Sequence, residues 1–340
     1  MSSFLASGSS QSSNNAFWLE IISKSELINV STLPCDVYDS SAVIYNNEIH
    51  ILGGYNNKTA HYKWNGNSWE SVSTLPYEFY GGCAVVYNDE IHILGGAYSS
   101  TTQKYHYKFN GSSWSSVSTL SYGFKWGCAV VYNDEIHILG TSSSSNYYRY
   151  HYKFDGSSWS SSTTIPYEFY SGGAVVLNNE IHILGCGRSS YMKYHYKWNG
   201  NSWSSVSTLP YEFHGGSVIV YNNEIHILGC GSSGFVKTAD YKWDGSSWSL
   251  ASGLPYQFIE GSTIVYNNEL QILGGDGSAT SHYSIAQPPK IQGYLKQGTK
   301  IYYPQTSSPI TTNLQSTTDG YLVTSNGEVK ISVNSEDLEV

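Results

Sequence analysis

The chain of 340 residues has a net charge of −9, only 13% charged residues, and 31 tyrosines. That balance excludes a binder of phosphate backbones, which needs clustered cations, and a disordered chain, which lacks aromatics. No run approaches the roughly 18 apolar residues that would cross a bilayer as a helix, so no membrane insertion is expected.

Residues 1–15 are rich in Ser and Asn, with no basic stretch and no apolar core of the kind that marks a secretion signal. The expectation is an N-terminal arm over 1–26 on a protein made in the cytosol and released only by lysis or a dedicated machine. From residue 27 the sequence repeats. Six near-identical segments read Leu-Pro-Tyr-Glu-Phe-x-Gly-Gly, then Val-Val-Tyr-Asn-Asn-Glu-Ile-His-Ile-Leu-Gly-Gly, then Tyr-x6-Trp. Such regularity decides architecture before any single residue is weighed. In the second unit, the apolar run Cys83 to Tyr87 suits a covered strand, and Asn88-Asp89 suits a two-residue turn. Glu90 to Leu94 alternates as a second strand, broken by Gly95-Gly96. Lys104 to Phe109 and Trp114 to Thr119 make the third and fourth. Four antiparallel strands in about 45 residues form one propeller blade.

The sixth unit has Tyr283 but Lys290 where its Trp should stand. The missing strand is found at the other end: residues 25–34 align with 68–76, with Leu27 near the place of Trp69. Residues 27–32 are therefore expected to close the ring in the last blade; the rival is closure by the segment after Pro289. Beyond Pro288-Pro289 the repeat ends, and strand-like runs at 292–295, 300–303 and 320–333 predict a small β module over 287–340. A piece of this size rarely holds a core of its own, so it is expected to dock on the propeller, on copies of itself or on another chain.

The double glycine recurs at Gly53-Gly54, Gly95-Gly96 and Gly274-Gly275, and as Gly140-Thr141, Gly185-Cys186 and Gly229-Cys230. The spaced pair recurs at Tyr62/Trp69, Tyr107/Trp114, Tyr152/Trp159, Tyr196/Trp203 and Tyr241/Trp248. Together these resemble the kelch family over roughly residues 27–286. The resemblance implies an all-β fold: a six-bladed kelch-type β-propeller, closed here by an N-terminal strand, with the C-terminal β module appended.

Strand order puts the near-invariant Asn-Asn and Asn/Asp-Gly turns on one face. The loops after Gly-Gly and after Leu-Pro lie on the other, and there the copies diverge. The fourth residue after Leu-Pro is Tyr38, Tyr80, Lys125, Tyr170, His214 or Ile259; the next is Asp39, Gly81, Trp126, Ser171, Gly215 or Glu260. Drift at exposed loops would leave small polar residues, whereas Tyr, Trp, His and Arg anchor interfaces. The candidate ligand-binding face is Tyr38, Tyr80, Lys125, Trp126, Tyr170 and His214 around the central opening, with Arg149 and Arg188 on outer loops.

Recurring residues are read as structural. His50, His92, His137, His182 and His226 recur once per blade, and second-strand residues of different blades do not converge on one ion, so no metal and no cofactor is expected. The recurring glutamates, such as Glu48 and Glu90, follow a turn and are expected to cap or solvate it. The five cysteines show no disulfide framework and are expected to be buried or half-buried thiols.

Kelch-like enzymes include a copper oxidase type, for which only His214 is a non-repeating histidine on the divergent face, and a sialic-acid epimerase type, for which Arg188 with Glu260 would be needed. No catalysis is expected. Low charge, richness in Tyr, Ser, Asn and Gly, and a terminal β module loosely resemble phage or contractile-tail appendage proteins. The leading expectation is a non-catalytic binding propeller on a virion or tail-like particle. Its termini would attach to structural proteins of the particle, with self-association as a further outcome, and its divergent face would recognise a host-surface glycan or protein. The alternatives are a cytosolic kelch scaffold for protein partners and a kelch-like carbohydrate-active enzyme.

Overall fold

A computed structural model describes residues 26–98, 101–140, 149–185, 192–231, 238–254, 256–275, 280–286, 293–297, 300–302, 318–324 and 327–333. All of the regular structure among them is β. The chain divides into two compact units, Leu27–Ile285, and Met1–Glu26 together with Ala286–Val340.

The first unit is a propeller of six four-stranded blades. Blade two shows the pattern: Cys83–Tyr87, Glu90–Leu94, His106–Phe109 and Trp114–Ser116, paired antiparallel in that order from the axis outward. Its third strand begins two residues later than the sequence suggests, because the carbonyls of Lys104 and Tyr105 serve the amides of Leu120 and Gly95. The hairpin between the first two strands turns on Asn88 and Asp89, both left-handed, and every blade repeats this with Asn-Asn or Asn-Asp. Such turns match the twist of the strands they join.

The ring closes as the repeat implied. In blade six, Ser262–Tyr266, Glu269–Leu273 and Ser281–Ala286 are joined on the outside by the N-terminal strand Glu26–Thr32. Ser31 locks this strand on both sides, its hydroxyl 2.9 Å from His282 Nδ1 and accepting Trp69 Nε1–H from blade one at 3.1 Å. The first strands of successive blades touch around the axis, the sixth meeting the first.

The core consists of six apolar clusters, each between two neighbouring blades. One packs Val85, Tyr87 and Leu94 of blade two on Phe124, Ile136, Ile138 and Phe154. The cluster that completes the circle packs Tyr266 and Leu273 of blade six on Ile49, Ile51 and Trp64 of blade one. The first glycine of each pair exists for this packing. Gly95 has φ +66°, and a Cβ there would lie 2.1 Å from the Phe124 carbonyl oxygen of the next blade. The second glycine is less constrained: Cys230 stands there in blade five outside the left-handed region, and its amide still donates to Phe258 O at 2.9 Å.

The recurring histidines form buried pairs inside blades. His50 and His61, His92 and His106, His137 and His151, and His182 and His195 each share a hydrogen bond of 2.7–2.8 Å. Blade five replaces the second histidine with Asp240, and blade six the first with Gln271. A Trp of the following blade covers the pairs of blades one to four and six, as Trp114 covers His61 with ring centroids 5.7 Å apart. The recurring glutamates do not cap turns. They pair across strands with Lys63, Lys108, Lys153, Lys197 and Lys242 at 2.8–3.0 Å. These half-exposed surface pairs contribute about 0–1 kcal/mol each. Cys35, Cys83, Cys128 and Cys230 are free thiols, buried or half-buried.

The second unit holds a four-stranded antiparallel sheet in the order Lys300–Tyr302, Gly293–Gln297, Thr318–Thr324, Gly327–Val333. The last two strands pair antiparallel within the run expected at 320–333; Ser325 and Asn326 between them lie outside the described residues.

Two expectations follow. Burial pushes His50, His92, His137, His182 and His282 down to about 4, and His61, His106, His151 and His195 to about 3, from the usual 6.5. A depressed folded-state pKa gives stability that is whole above 6.5 and is lost as pH falls through the folded values. Urea midpoints should therefore hold from pH 8 to 6.5 and drop steeply between 6.5 and 4; a flat profile to pH 4 would contradict it. Gly95→Ala should lower unfolding free energy by roughly 2–4 kcal/mol, read from the same urea curves.

Candidate binding face

The peptide units that follow Leu-Pro meet around the axis and hydrogen-bond in a closed circle. Asp39 N–H donates to Glu260 O, Gly81 to Asp39, Trp126 to Gly81, Ser171 to Trp126, Gly215 to Ser171 and Glu260 to Gly215, at 2.6–3.0 Å. All six residues are left-handed, with φ between 52° and 62°. Only two are glycine. An ordinary residue in this region costs on the order of 1–2 kcal/mol, less for Asp, so Trp126, Ser171 and Glu260 hold their places against a local preference for glycine. The geometry carries their side chains to the mouth of the ring.

The loops after the second strands share this face. Tyr55 N–H donates to Tyr38 O at 2.8 Å and Ala97 N–H to Tyr80 O at 3.0 Å. Together they wall a cup of about 660 Å³ lined by Asp36, Tyr38, Asp39, Tyr55, Asn56, Tyr80, Lys125, Trp126 and Glu260. Tyr38, Tyr55 and Tyr80 form an edge-to-face chain with centroids 6.2 and 5.5 Å apart. The Lys125 ammonium stands 3.5 Å from the Trp126 ring centroid and 4.4 Å from that of Tyr80. Lys125 is only 9% exposed, and burial pulls its pKa down. Burial, and then the charge of Glu260, push the Asp39 carboxyl up to about 6, against a hydrogen bond from the Trp126 side chain and the charge of Lys125. Asp36 accepts Asn56 Nδ2 at 2.7 Å.

Below the cup the axis is lined by small residues, among them Ala42, Ala84, Cys83 and Cys128. Ser41, Cys83 and Cys128 donate from the start of their strands to the carbonyls of Gly82, Gly127 and Gly172 in the next blades, at 3.1–3.2 Å. Burial raises both thiols, Cys83 to about 12, so they stay protonated and unreactive.

Four of the sequence candidates, Tyr38, Tyr80, Lys125 and Trp126, come together in the cup. Tyr170 stands beside them, its ring 5.4 Å from that of Trp126. His214 is half-buried and is not among the lining residues. The Arg149 guanidinium is turned to the backbone, with Nε–H donating to Ile165 O at 2.7 Å. Arg188 lies outside the described residues. Asp36, Asp39, Tyr55, Asn56 and Glu260 were missed as site residues. Asp39 and Glu260 stand in the same divergent column as Trp126, so the signal was present; their convergence depends on the ring geometry. Among the described residues no group of three or more His, Cys, Asp and Glu is placed to hold a metal ion.

A solved structure, that of YjhT, superposes with a TM-score of 0.65 at 15% identity, over 84% of this chain and 99% of the other. The likeness establishes the propeller fold. No protein-family model and no curated protein matches the chain.

The two ring glycines give a paired test. Both would carry the left-handed cost on replacement, but a Cβ at Gly81 also meets Trp126 Nε1 at 2.9 Å, whereas at Gly215 nothing lies nearer than 3.6 Å. Gly215→Ala should cost about 1 kcal/mol and Gly81→Ala distinctly more, measured by urea unfolding.

Proposed function

We propose that the protein is a non-catalytic binding propeller of kelch type whose axial cup recognises a host-surface glycan or protein, carried on a virion or tail-like particle through its termini. One observation carries the reading: non-glycine residues are held left-handed around the ring, and the aromatic and charged side chains they present, which do not recur between blades, gather in a single cup. Strain retained at one mouth of an otherwise repetitive fold marks a selected site. Tyrosine and tryptophan faces stack on sugar rings, and Asn56 and the carboxylates fix hydroxyl groups. The doubled glycine and the spaced Tyr and Trp support the kelch assignment; low charge and the appended β module support the particle.

The paired carboxyl groups Asp39 and Glu260, one raised to about 6, favour a second reading, a carbohydrate-active enzyme. Binding to host cells and to a glycan array separates the two. The triple variant Tyr80→Ala, Trp126→Ala, Tyr170→Ala should lose at least about tenfold in affinity while keeping its fold; unchanged adsorption would put the site elsewhere. Turnover of a bound glycan that is lost in Glu260→Gln would move the assignment to the enzyme.

A further inference from the structure

Resting on the glycan-binding reading, the charges of the cup select among glycans. Among the described residues three carboxylates line it, Asp36, Asp39 and Glu260, against the ammonium of Lys125. That ammonium lies over two aromatic faces at once, those of Trp126 and Tyr80. A second, Lys58 Nζ, stands 5.5 Å from the Tyr80 centroid and is held by Glu78 at 3.2 Å. The floor is thus an aromatic cage that already receives a primary ammonium. The ring quadrupole attracts a cation, the more so where water is displaced. An acidic sugar entering here would meet three like charges, which opposes its binding. A neutral one would bring no counter-charge to Asp39, whose carboxyl is raised first by burial and then by the charge of Glu260.

The rest of the cup fits a saccharide. Tyr38, Tyr55 and Tyr80 offer consecutive ring surfaces, and Tyr55 is 53% exposed. The volume of about 660 Å³ is that of a small-molecule site.

We propose that the axial cup binds an amino sugar with a free, protonated amine, whose ammonium takes the position over Trp126 and Tyr80 now held by Lys125, with Asp39 and Glu260 as its counter-charges. Lys125 is then a built-in competitor. Removing it should strengthen binding, the opposite of what a lysine contacting an acidic ligand would do.

The test is calorimetric titration at neutral pH with a glucosamine trisaccharide, its N-acetylated counterpart and a galacturonic acid trisaccharide. The free-amine form should bind at least about tenfold tighter than the other two. Lys125→Met, which keeps the side-chain length, should tighten the free-amine form several-fold, and the isosteric Asp39→Asn should weaken it by about tenfold. Should Lys125→Met fail to fold, Asp39→Asn decides. Equal affinities, tighter binding of the acidic sugar, or weakening by Lys125→Met would overturn the proposal. If none of the three binds while other glycans on an array do, the amine assignment fails and the glycan reading stands. If no glycan binds at all, both fall.

Discussion

The propeller depends on a circle of six backbone hydrogen bonds, each running from one blade to the next at the mouth of the axis. A circle of this kind cannot be satisfied in part. The six peptide units must share one left-handed conformation so that every N–H faces the carbonyl before it. Around the rim, the outer strand from the N-terminus performs the same closure, and Ser31 ties it to both blades it adjoins. Between mouth and rim, six apolar clusters fill the wedges, and the first glycine of each pair lets one backbone approach the next. Each blade still ends in an outer strand edge, but in blades one to four that strand is only three residues long, too short to recruit another chain readily.

This division of labour explains where the sequence is constant and where it is free. A buried polar pair, His–His in four blades, and a turn on Asn serve every blade, and a cross-strand Lys–Glu pair serves five, so they recur. The ring asks of its residues only a backbone conformation. Trp126, Ser171 and Glu260 meet that demand as glycine would, at a cost of about 1–2 kcal/mol each by the usual left-handed penalty. Their side chains are released from the repeat and can differ, which is how a sixfold scaffold acquires one asymmetric cup.

Much of the fold was legible because it is periodic. The register of strands, the two-residue turns and the supply of the last outer strand by residues near 27–32 follow from aligning the repeat with itself. The cup was legible only in part. Divergence after Leu-Pro pointed to Tyr38, Tyr80, Lys125 and Trp126, since those residue types stand out among small neighbours. Asp39 and Glu260 are over 200 positions apart, and only closure of the ring makes them neighbours, their backbones joined at 3.0 Å. Tyr55 was hidden for another reason: it belongs to a loop after the second strand, and the bond from its amide to Tyr38 O brings it to the mouth. Arg149 shows the converse. Its residue type suggested an anchor, but the nearby Ile165 carbonyl takes the guanidinium.

The central claim is that recognition occurs at the axial mouth, on side chains released by the hydrogen-bonded ring. A crystal structure of the propeller with a glycan selected from an array tests it most directly. The account predicts density within the cup, against Tyr80 and Trp126 and within hydrogen-bonding distance of Asp39 or Glu260. Density on the opposite face, over the repeated Asn turns, or spread equally over several blades, would contradict it.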